Sequence, residues 1–507
     1  MMAARRHDPV PRLADLLADM PLSAAWAGLP VRGLALDSRA VRPGDLFLAF
    51  PGTRRDGRDF IAAAAGAGAV AVLAEAEGLA VGAIPTFPVI PVAGLAARVS
   101  GIADAFYAHP STALVVTGVT GTNGKTTCTQ LLAQLFALLE APAGVIGTLG
   151  AGVTDGSTAL AGTGLTTPDA IATQRLLAEF RAQGARRAVM EISSHSLDQR
   201  RIAAVRIHTA IFTNLTQDHL DYHGDMARYR AAKARLFQHP GLACAVINRD
   251  DPAGLGLLAE LPPGVVGYGY SAHGGDAELR ATDVRLDAAG ARARLVTPWG
   301  EGDLVSTLPG RFNLANLLAV IGAACAQGFA LAAVLAAVPG LRGAPGRMQS
   351  LVSPGGPRVV VDYAHTPDAL EQVLAALRET LADGGRLWCV FGCGGERDRG
   401  KRPRMGAIAA AGADRVVVTS DNPRGEDPDA IIAGILAGVD AAARNRAEVI
   451  SERRGAIARA IAAADARDIV LIAGKGHETW QEIAGVRWPC DDAAEARRAL
   501  AAREELS

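Results

Sequence analysis

The residues from 118 to 127, GVTGTNGKTT, form a glycine-spaced run that ends in Gly124-Lys125-Thr126. An apolar strand is predicted at 113–116, and the apolar helical pattern CTQLLAQLFALL follows the run. Glycines let backbone N–H groups face a phosphate, the lysine reaches the outer phosphates, and the threonine hydroxyl can hold magnesium. The usual spacing would place glycine where this chain has Val119, so the loop is a variant. We predict an ATP-binding loop rather than a glycine-rich turn with a solvent-exposed lysine.

Three further polar features could take part in metal binding or catalysis. Glu191 follows the apolar run 187–190, where a carboxylate can hold magnesium or simply face solvent. The segment FTNLTQDHLDYHG, 212–224, could hold a metal or be a polar loop. Lys233 lies between apolar neighbours in YRAAKARLF. It could extend to water, or burial could lower its pKa and let the neutral amine react with CO₂. The residues alone leave these alternatives open.

Composition limits the class of protein. A chain of 507 residues is too long for one core and suggests about three domains. The net charge of −1 gives no reason to expect nucleic-acid binding, and the six scattered cysteines lack zinc spacing and fit a reducing cytoplasm. The N-terminus has no apolar segment typical of a secretory signal. For the uncharged stretch 313–341 we favour two core helices broken near Gly328 over a membrane span.

These features must be positioned by an α/β fold, because apolar strands alternate with helical patterns along the chain. We predict three domains: a small α/β N-terminal domain at 1–107, a central P-loop ATPase domain with a parallel sheet at 108–345, and a Rossmann-like domain at 346–507. In the first, an apolar strand is expected at 46–50. In the third, apolar strands end in the loops of DYAHTP, GGERDRGKR, DNPR and GKGHE. Ligands bind at the carboxyl ends of such strands.

The chain resembles the Mur ligases, the ATP-dependent amino-acid-adding enzymes of peptidoglycan synthesis. The matches include ALDSR, GDLF, TGTNGKTT, EISSH, TNLTQDHLDYHG, GRFNLAN, DYAHTP, GGERDRGKR, DNPR and GKGHE, in the family's order over nearly the whole chain. The resemblance implies ATP and Mg²⁺ as cofactors. It also implies an acyl phosphate, formed when a D-glutamyl carboxylate attacks the γ-phosphate and then attacked by the incoming amine.

The resemblance also implies site residues. ATP contacts fall on Gly121, Thr122, Asn123, Gly124, Lys125, Thr126, Thr127, Asn313, Arg347 and Asp362. The catalytic set is Lys125, Glu191, His219 and Lys233, in which Lys233 as a carbamate holds a second magnesium with Glu191 and His219, while Thr126 serves the first. UDP-sugar contacts fall on Leu36, Ser38, Thr53, Arg54, Arg55, Thr166, Thr167, Ser193, Gln199 and Arg201. Because Arg347 and Asp362 lie in the third domain, we expect domain closure to assemble the ATP site.

Within the family, the pattern is similar to the member that joins a diamino acid to UDP-N-acetylmuramoyl-L-alanyl-D-glutamate. The DNPR form goes with meso-diaminopimelate, whose second carboxylate a guanidinium can bind through two hydrogen bonds. A lysine substrate would leave Arg424 buried and unpaired, so we expect it to be rejected. The implied diaminopimelate pocket comprises Arg399, Asp421, Asn422, Pro423, Arg424, Gly474 and Glu478, with Glu478 able to bind an ammonium group.

Other functions remain open from the sequence. The same ligase could add L-lysine, or the chain could be a sister ligase such as folylpolyglutamate synthetase or the Mur enzyme that adds D-alanyl-D-alanine. A P-loop regulatory ATPase would instead hydrolyse ATP without any amino acid. We expect a cytoplasmic monomer that binds neither nucleic acid nor membrane.

Overall fold

A computed structural model describes residues 10–52, 55–79, 87–156, 158, 160–287 and 290–504. The strands in these ranges form three sheets and one separate two-stranded hairpin, and helices connect many of the successive strands. The predicted α/β class is confirmed. Each sheet falls within one of the three ranges predicted for the domains, whose boundaries stay a prediction.

The first sheet has four parallel strands in the order β1-β2-β3-β4. They are Gly33–Ala35, Asp45–Ala49, Ala71–Glu75 and Val89–Val92, and the second begins and ends one residue earlier than predicted. The accompanying α-helices are Leu13–Leu16 (α1), Ala24–Ala27 (α2), Ile61–Gly66 (α3) and Leu95–Phe106 (α4). Ala170 and Ile171 of the central unit join this core, so the two units share apolar packing.

The second sheet has ten strands in the order β14-β13-β12-β11-β10-β9-β5-β8-β6-β7. In chain order, β5 to β14 are Val115–Thr120, Ala143–Gly147, Gly150–Thr154, Arg187–Glu191, Ile207–Phe212, Cys244–Asn248, Val266–Ser271, Leu279–Asp287, Gly290–Thr297 and Gly300–Ser306. Strand β5 therefore begins and ends later than the predicted 113–116.

The predicted parallel sheet is confirmed from β12 to β6, whereas the strands at the two ends of the sheet pair antiparallel. Strands β12–β13, β13–β14 and β6–β7 pair antiparallel. The two-residue connections 148–149 and 298–299 explain two of these pairings, because a parallel pair needs a much longer crossover.

The helices of this central unit cover both faces of its sheet. They are Lys125–Leu139 (α5), Ala170–Ala182 (α6), Ser194–Asp198 (α7), Leu220–His223 (α8), Met226–Ala234 (α9), Pro252–Ala259 (α10), Arg311–Ala326 (α11) and Leu331–Ala337 (α12). The uncharged stretch thus forms α11 and α12, which separate around Gly328 at φ +93° as predicted. Among the described residues, no helix combines the length and apolar character needed to cross a membrane.

The third sheet has six strands in the order β15-β16-β20-β17-β18-β19, all parallel except β15. In chain order, β15 to β20 are Gln349–Leu351, Arg358–Asp362, Leu387–Phe391, Arg415–Val418, Ala447–Val449 and Ile469–Ala473. The α-helices are Pro367–Glu379 (α13), Lys401–Gly412 (α14), Pro428–Leu436 (α15), Arg453–Ala463 (α16) and Asp492–Glu504 (α17). Strands β21, Trp480–Ile483, and β22, Val486–Pro489, form the hairpin.

Short 3₁₀ helices complete the described elements. They are Ser38–Ala40, Gly57–Phe60, Pro110–Thr112, Arg235–Gln238, Val338–Gly340 and Arg444–Arg446. The strand ends that matter for the site are those of β5 and β8 in the second sheet and of β16, β17, β18 and β20 in the third, because the predicted motifs follow them directly.

Candidate active site

The phosphate loop joins strand β5 to helix α5. Gly121 and Gly124 have φ angles of +148° and +87°, a region that other residues rarely adopt. A Cβ atom at Gly121 would collide with Thr213, and one at Gly124 would collide with Asn316. The first N–H groups of a helix have no partner within it, so residues 121–127 form an anion-binding turn at the start of α5.

Two lysines meet at one carbonyl group of this loop. Lys125 Nζ donates to the Gly121 oxygen at 2.9 Å, and Lys233 Nζ donates to the same oxygen at 2.8 Å. Lys233 lies on α9 and is 2% exposed. Burial lowers its pKa well below the ordinary value, and the nearby Lys125 charge lowers that pKa further. The structure therefore places Lys233 inside the site, with a pKa shifted in the direction that favours a neutral amine.

Glu191 ends strand β8 beside the loop and is 1% exposed. Its carboxylate accepts hydrogen bonds from the Thr126 hydroxyl at 3.0 Å, the Thr148 N–H at 2.9 Å and the Thr148 hydroxyl at 3.0 Å. Hydroxyl and carboxylate oxygens are the ligands that magnesium prefers. Thr126, predicted for the first magnesium ion, and Glu191, predicted for the second, are thus hydrogen-bonded neighbours, and both magnesium assignments stay predictions.

His219 precedes α8 in the predicted histidine and aspartate segment. Its Nε2 lies 3.4 Å from an Asp218 oxygen, and its ring centroid lies 4.9 Å from that of His195. Partial burial lowers the pKa of His219 below its ordinary value, against the opposing effect of Asp218. Across the described ranges, no three or more His, Cys, Asp or Glu side chains form a group that could hold a metal ion. The second predicted magnesium set, which includes a modified Lys233, therefore stays a prediction.

A cleft of about 370 Å³ lies between the central and third units, beside the phosphate loop. Its lining includes Asn123, Gly124, Thr127, Asn313, Arg347 and Asp362, all predicted ATP contacts. Arg347 Nη2 donates to the Thr126 hydroxyl oxygen at 3.3 Å, and its guanidinium stacks on Tyr363, 4.3 Å from the ring centroid. The structure thus brings the predicted ATP residues of both units to one cleft.

The central UDP-sugar residues form one hydrogen-bonded group. The Thr167 hydroxyl donates to the Glu191 backbone carbonyl at 2.8 Å, and Arg201 Nη1 donates to the Thr167 carbonyl at 2.7 Å. Arg201 Nη2 also donates to Gln199 Oε1 at 2.6 Å, while the Ser193 N–H donates to the Thr167 hydroxyl at 3.1 Å.

The N-terminal members of the predicted UDP-sugar set stand apart from that group. Leu36 packs against the first core, Ser38 begins a 3₁₀ helix, and Arg55 is exposed. Within the described residues, the hydrogen bonds of the central group do not include these three. Thr53 and Arg54 lie outside the described residues.

The DNPR loop follows strand β18 and is held by the hairpin. The Arg424 N–H donates to the Glu482 carbonyl at 2.9 Å, and the Ala484 N–H donates to the Arg424 carbonyl at 2.7 Å. The Arg424 guanidinium donates to the Gly395 carbonyl at 2.7 Å and lies 4.0 Å from a Glu482 carboxylate oxygen. Its side chain is 19% exposed, and the expectation that a lysine substrate would leave it buried and unpaired stays a prediction.

Glu478 lies next to this loop. It accepts from Asn422 Nδ2 at 2.8 Å and from the fully buried Lys475 Nζ at 3.1 Å. A Cβ atom at Gly474 would approach Asp421 to 2.6 Å, so these two strand ends are adjacent. Arg399 is 75% exposed and pairs with Glu426 at 3.2 Å. The structure thus brings together Asp421, Asn422, Arg424, Gly474 and Glu478, with Arg399 at a more exposed position.

Sequence reasoning missed three residues of these sites. Thr148 gave no motif signal, although it follows a strand of the central sheet. Lys475 lay within GKGHE, and Tyr363 lay within DYAHTP, yet neither was assigned a role. Both were within reach of the rule that ligands gather at the carboxyl ends of parallel strands.

Three profiles match the chain in succession. They describe the Mur ligase family, catalytic domain, at 30–107; the Mur ligase middle domain, at 119–324; and the Mur ligase, glutamate ligase domain, at 346–476.

Full-length relatives are similar over the same span. The UDP-N-acetylmuramoyl-L-alanyl-D-glutamate--2,6-diaminopimelate ligase of Ectopseudomonas mendocina is 53% identical over 483 residues, covering 95% of this chain and 98% of the relative. The ligase of the same name from Pseudomonas aeruginosa is 53% identical over 478 residues, covering 94% and 96%. A solved structure with that name is 39% identical, with a TM-score of 0.71 over 98% of this chain and 100% of the other. The MurF ligase of Thermotoga maritima in complex with ADP shares the fold, at 19% identity and a TM-score of 0.64 over 94% and 97%.

Proposed function

Because this chain belongs to the Mur ligase family, we propose that it joins meso-diaminopimelate to UDP-N-acetylmuramoyl-L-alanyl-D-glutamate in an ATP-dependent, ADP-forming reaction of peptidoglycan synthesis. The geometric observation that carries the proposal is the meeting of three elements at Thr126. The phosphate loop contains this threonine. The buried Glu191 carboxylate and Arg347 of the third unit both contact its hydroxyl group. Such a site suits phosphoryl transfer, which depends on positioning and charge neutralisation.

The residues of the loop would activate the acceptor by holding ATP in line with it. Lys125 and Arg347 place positive charge where the γ-phosphate is transferred to the D-glutamyl carboxylate, giving an acyl phosphate and ADP. The amine of diaminopimelate then attacks the acyl carbon, and phosphate leaves as the amide forms. The cleft between the units excludes water from the acyl phosphate when it closes.

Thr126 would hold the first magnesium ion, and Glu191 would hold the second with His219 and a modified Lys233; magnesium supplies neutralisation of phosphate charge when bound. We further propose that Lys233 is carbamylated, as the resemblance implies. Its burial and its lowered pKa support this, because a neutral amine is the form that reacts with CO₂.

Arg424 is the proposed partner of the second carboxylate of diaminopimelate. Its backbone is held by the hairpin, and its guanidinium donates to the Gly395 carbonyl at 2.7 Å, which supports a fixed position for this side chain. Cytoplasmic location is also proposed, supported by six unpaired and buried cysteines, which fit a reducing compartment.

The deciding experiment measures phosphate release from ATP and magnesium with the UDP-linked dipeptide, adding meso-diaminopimelate or L-lysine in parallel. Lys125→Ala serves as the control for a contaminating ATPase. Release that requires diaminopimelate, with a UDP-muramoyl-tripeptide detected by mass spectrometry, supports the proposal. Turnover with lysine alone would mean that the added amino acid is L-lysine and not diaminopimelate. Turnover without any amino acid would favour the regulatory ATPase.

A further inference from the structure

Thr148 occupies the two-residue turn between β6 and β7, at the edge of the central sheet that carries the phosphate loop. The turn packs directly on Glu191, since a Cβ atom at the preceding Gly147 would collide with its carboxylate. Both polar groups of Thr148, the backbone N–H and the hydroxyl, donate to that carboxylate. Thr148 thus supplies two of the three hydrogen bonds that orient Glu191.

The direction of these hydrogen bonds follows from which groups carry protons. An ionised carboxylate only accepts, so the Thr148 hydroxyl must donate its one proton to Glu191. The Thr148 and Thr166 hydroxyl oxygens are 3.0 Å apart, so Thr166 must be the donor between them. Thr166 is a proposed contact of the UDP-linked substrate.

The same reasoning assigns the hydrogen-bond donors on the other side of Glu191. The Thr126 hydroxyl donates to Glu191, while its oxygen accepts from Arg347. One chain of hydrogen bonds therefore runs from Thr166 through Thr148, Glu191 and Thr126 to Arg347. It joins the loop proposed for the acceptor substrate to the residues proposed for ATP.

We propose that Thr148 is a positioning residue that couples binding of the acceptor substrate to binding of the magnesium–nucleotide complex. The inference rests on the proposed function. When the acceptor engages Thr166, the Thr148 hydroxyl is held in the orientation that fixes Glu191 toward Thr126. Partners that orient a metal-binding side chain typically affect metal affinity by about 10- to 100-fold. Because coupling is reciprocal, the nucleotide complex also strengthens acceptor binding.

Thr148→Val tests this, because valine keeps the N–H bond and shape but lacks the hydroxyl. Calorimetry measures the affinity for Mg·ADP with and without UDP-N-acetylmuramoyl-L-alanyl-D-glutamate. We expect the wild-type protein to bind Mg·ADP more tightly when the acceptor is present. In the variant, the Mg·ADP dissociation constant rises about 10-fold and the effect of the acceptor disappears. Thr148→Ser restores the Mg·ADP affinity and its dependence on the acceptor. The KM for diaminopimelate is unchanged in both variants.

Thr163→Val is the matched control, since among the described residues its hydroxyl donates within its own loop, to the Leu165 carbonyl at 2.7 Å. Unchanged Mg·ADP affinity and unchanged acceptor dependence in Thr148→Val would overturn the inference. If that variant fails to fold, Thr166→Val takes its place, with loss of acceptor dependence expected and retained dependence contradicting the inference. A wild-type protein that forms no tripeptide would instead overturn the proposed function, so the two failures are distinguishable.

Discussion

Lys233 illustrates how position changes what a side chain can do. Its amine is buried beside the phosphate loop and shares the Gly121 carbonyl with Lys125. Burial removes the water that stabilises an ammonium ion, and the neighbouring cation repels it. Both effects increase the neutral fraction of the amine, which is the fraction available to CO₂.

We expect Lys233→Ala to lower the rate of tripeptide formation by at least about 100-fold, because a proposed anionic ligand is removed from the phosphate site. Short carboxylates such as acetate should restore part of the rate by occupying the space. Initial-rate assays at increasing acetate measure this. Lys233→Arg is the matched variant, because it fills the space but cannot become the anionic carbamate, so acetate should not rescue it. Full activity of unsupplemented Lys233→Ala would contradict the prediction.

Arg424→Ala should raise the KM for diaminopimelate by about 100-fold or more and change the KM for ATP little, because a charge-assisted pair with the second carboxylate is lost. Steady-state kinetics with each substrate varied in turn measure both values. Arg424→Lys keeps a charge but cannot form two parallel bonds, so an intermediate KM is expected. Equal, small changes in both KM values would count against this role.

At the scale of elements, the end of each strand decides where a loop can place its side chains. The phosphate loop, Glu191 and the DNPR and GKGHE loops were predictable because glycines and polar residues follow apolar runs. The hairpin was not predictable, because its bridge from Ile483 to Arg424 joins segments that are distant in sequence. The antiparallel ends of the central sheet were also missed, because strand direction depends on connection length rather than on apolar pattern.

Asp468 anchors the start of strand β20. It accepts from the Arg386 N–H at 2.8 Å, Trp388 Nε1 at 2.9 Å and the Asp465 N–H at 3.0 Å. Burial alone would raise its pKa, but these bonds and the Arg386 charge lower it overall. A carboxyl group with a lowered pKa stabilises the fold above its unfolded pKa, and that stability is lost as the pH falls through the folded value.

Asp468→Asn should therefore lower the free energy of unfolding of the third unit at pH 7 by about 1.5–3 kcal/mol. The loss should shrink as the pH falls from the unfolded pKa of about 4 toward the lower folded pKa, where the wild-type carboxyl group becomes protonated in the native state as well. Urea unfolding followed by tryptophan fluorescence at several pH values measures this. Asp465→Asn is the control, since its exposed pair with Arg386 should contribute under about 1 kcal/mol. A difference between Asp468→Asn and wild type that is the same at every pH would contradict the assignment.

At the scale of the whole molecule, several hydrogen bonds between described residues join the central and third units, in addition to the one from Arg347 to Thr126. Asn123 Nδ2 donates to Asp368 at 3.1 Å, and Gln217 Nε2 donates to Asp398 at 3.2 Å. Arg404 donates to Gln217 as well. These contacts flank the cleft that contains the proposed ATP residues.

Gln217→Ala should raise the KM values for ATP and diaminopimelate together, by about 2- to 10-fold, because it weakens the closed arrangement that assembles both sites. Kinetics measure the two values, and small-angle scattering with nucleotide measures the degree of closure. Arg378→Ala is the control, because its pair with Asp414 lies within the third unit. A change confined to one substrate, with closure unaltered, would contradict this role.

The contact between Thr126 and Arg347 spans 221 positions of the chain. A ribosome adds roughly 5–20 residues per second, so the phosphate loop emerges about 10 to 40 s before the arginine does. During synthesis, the central unit can fold around its loop without the cation that completes the site. A nascent chain therefore presents the nucleotide loop before it has the arginine that contacts Thr126, and the order of the units along the chain makes the third unit the last part of the site to arrive.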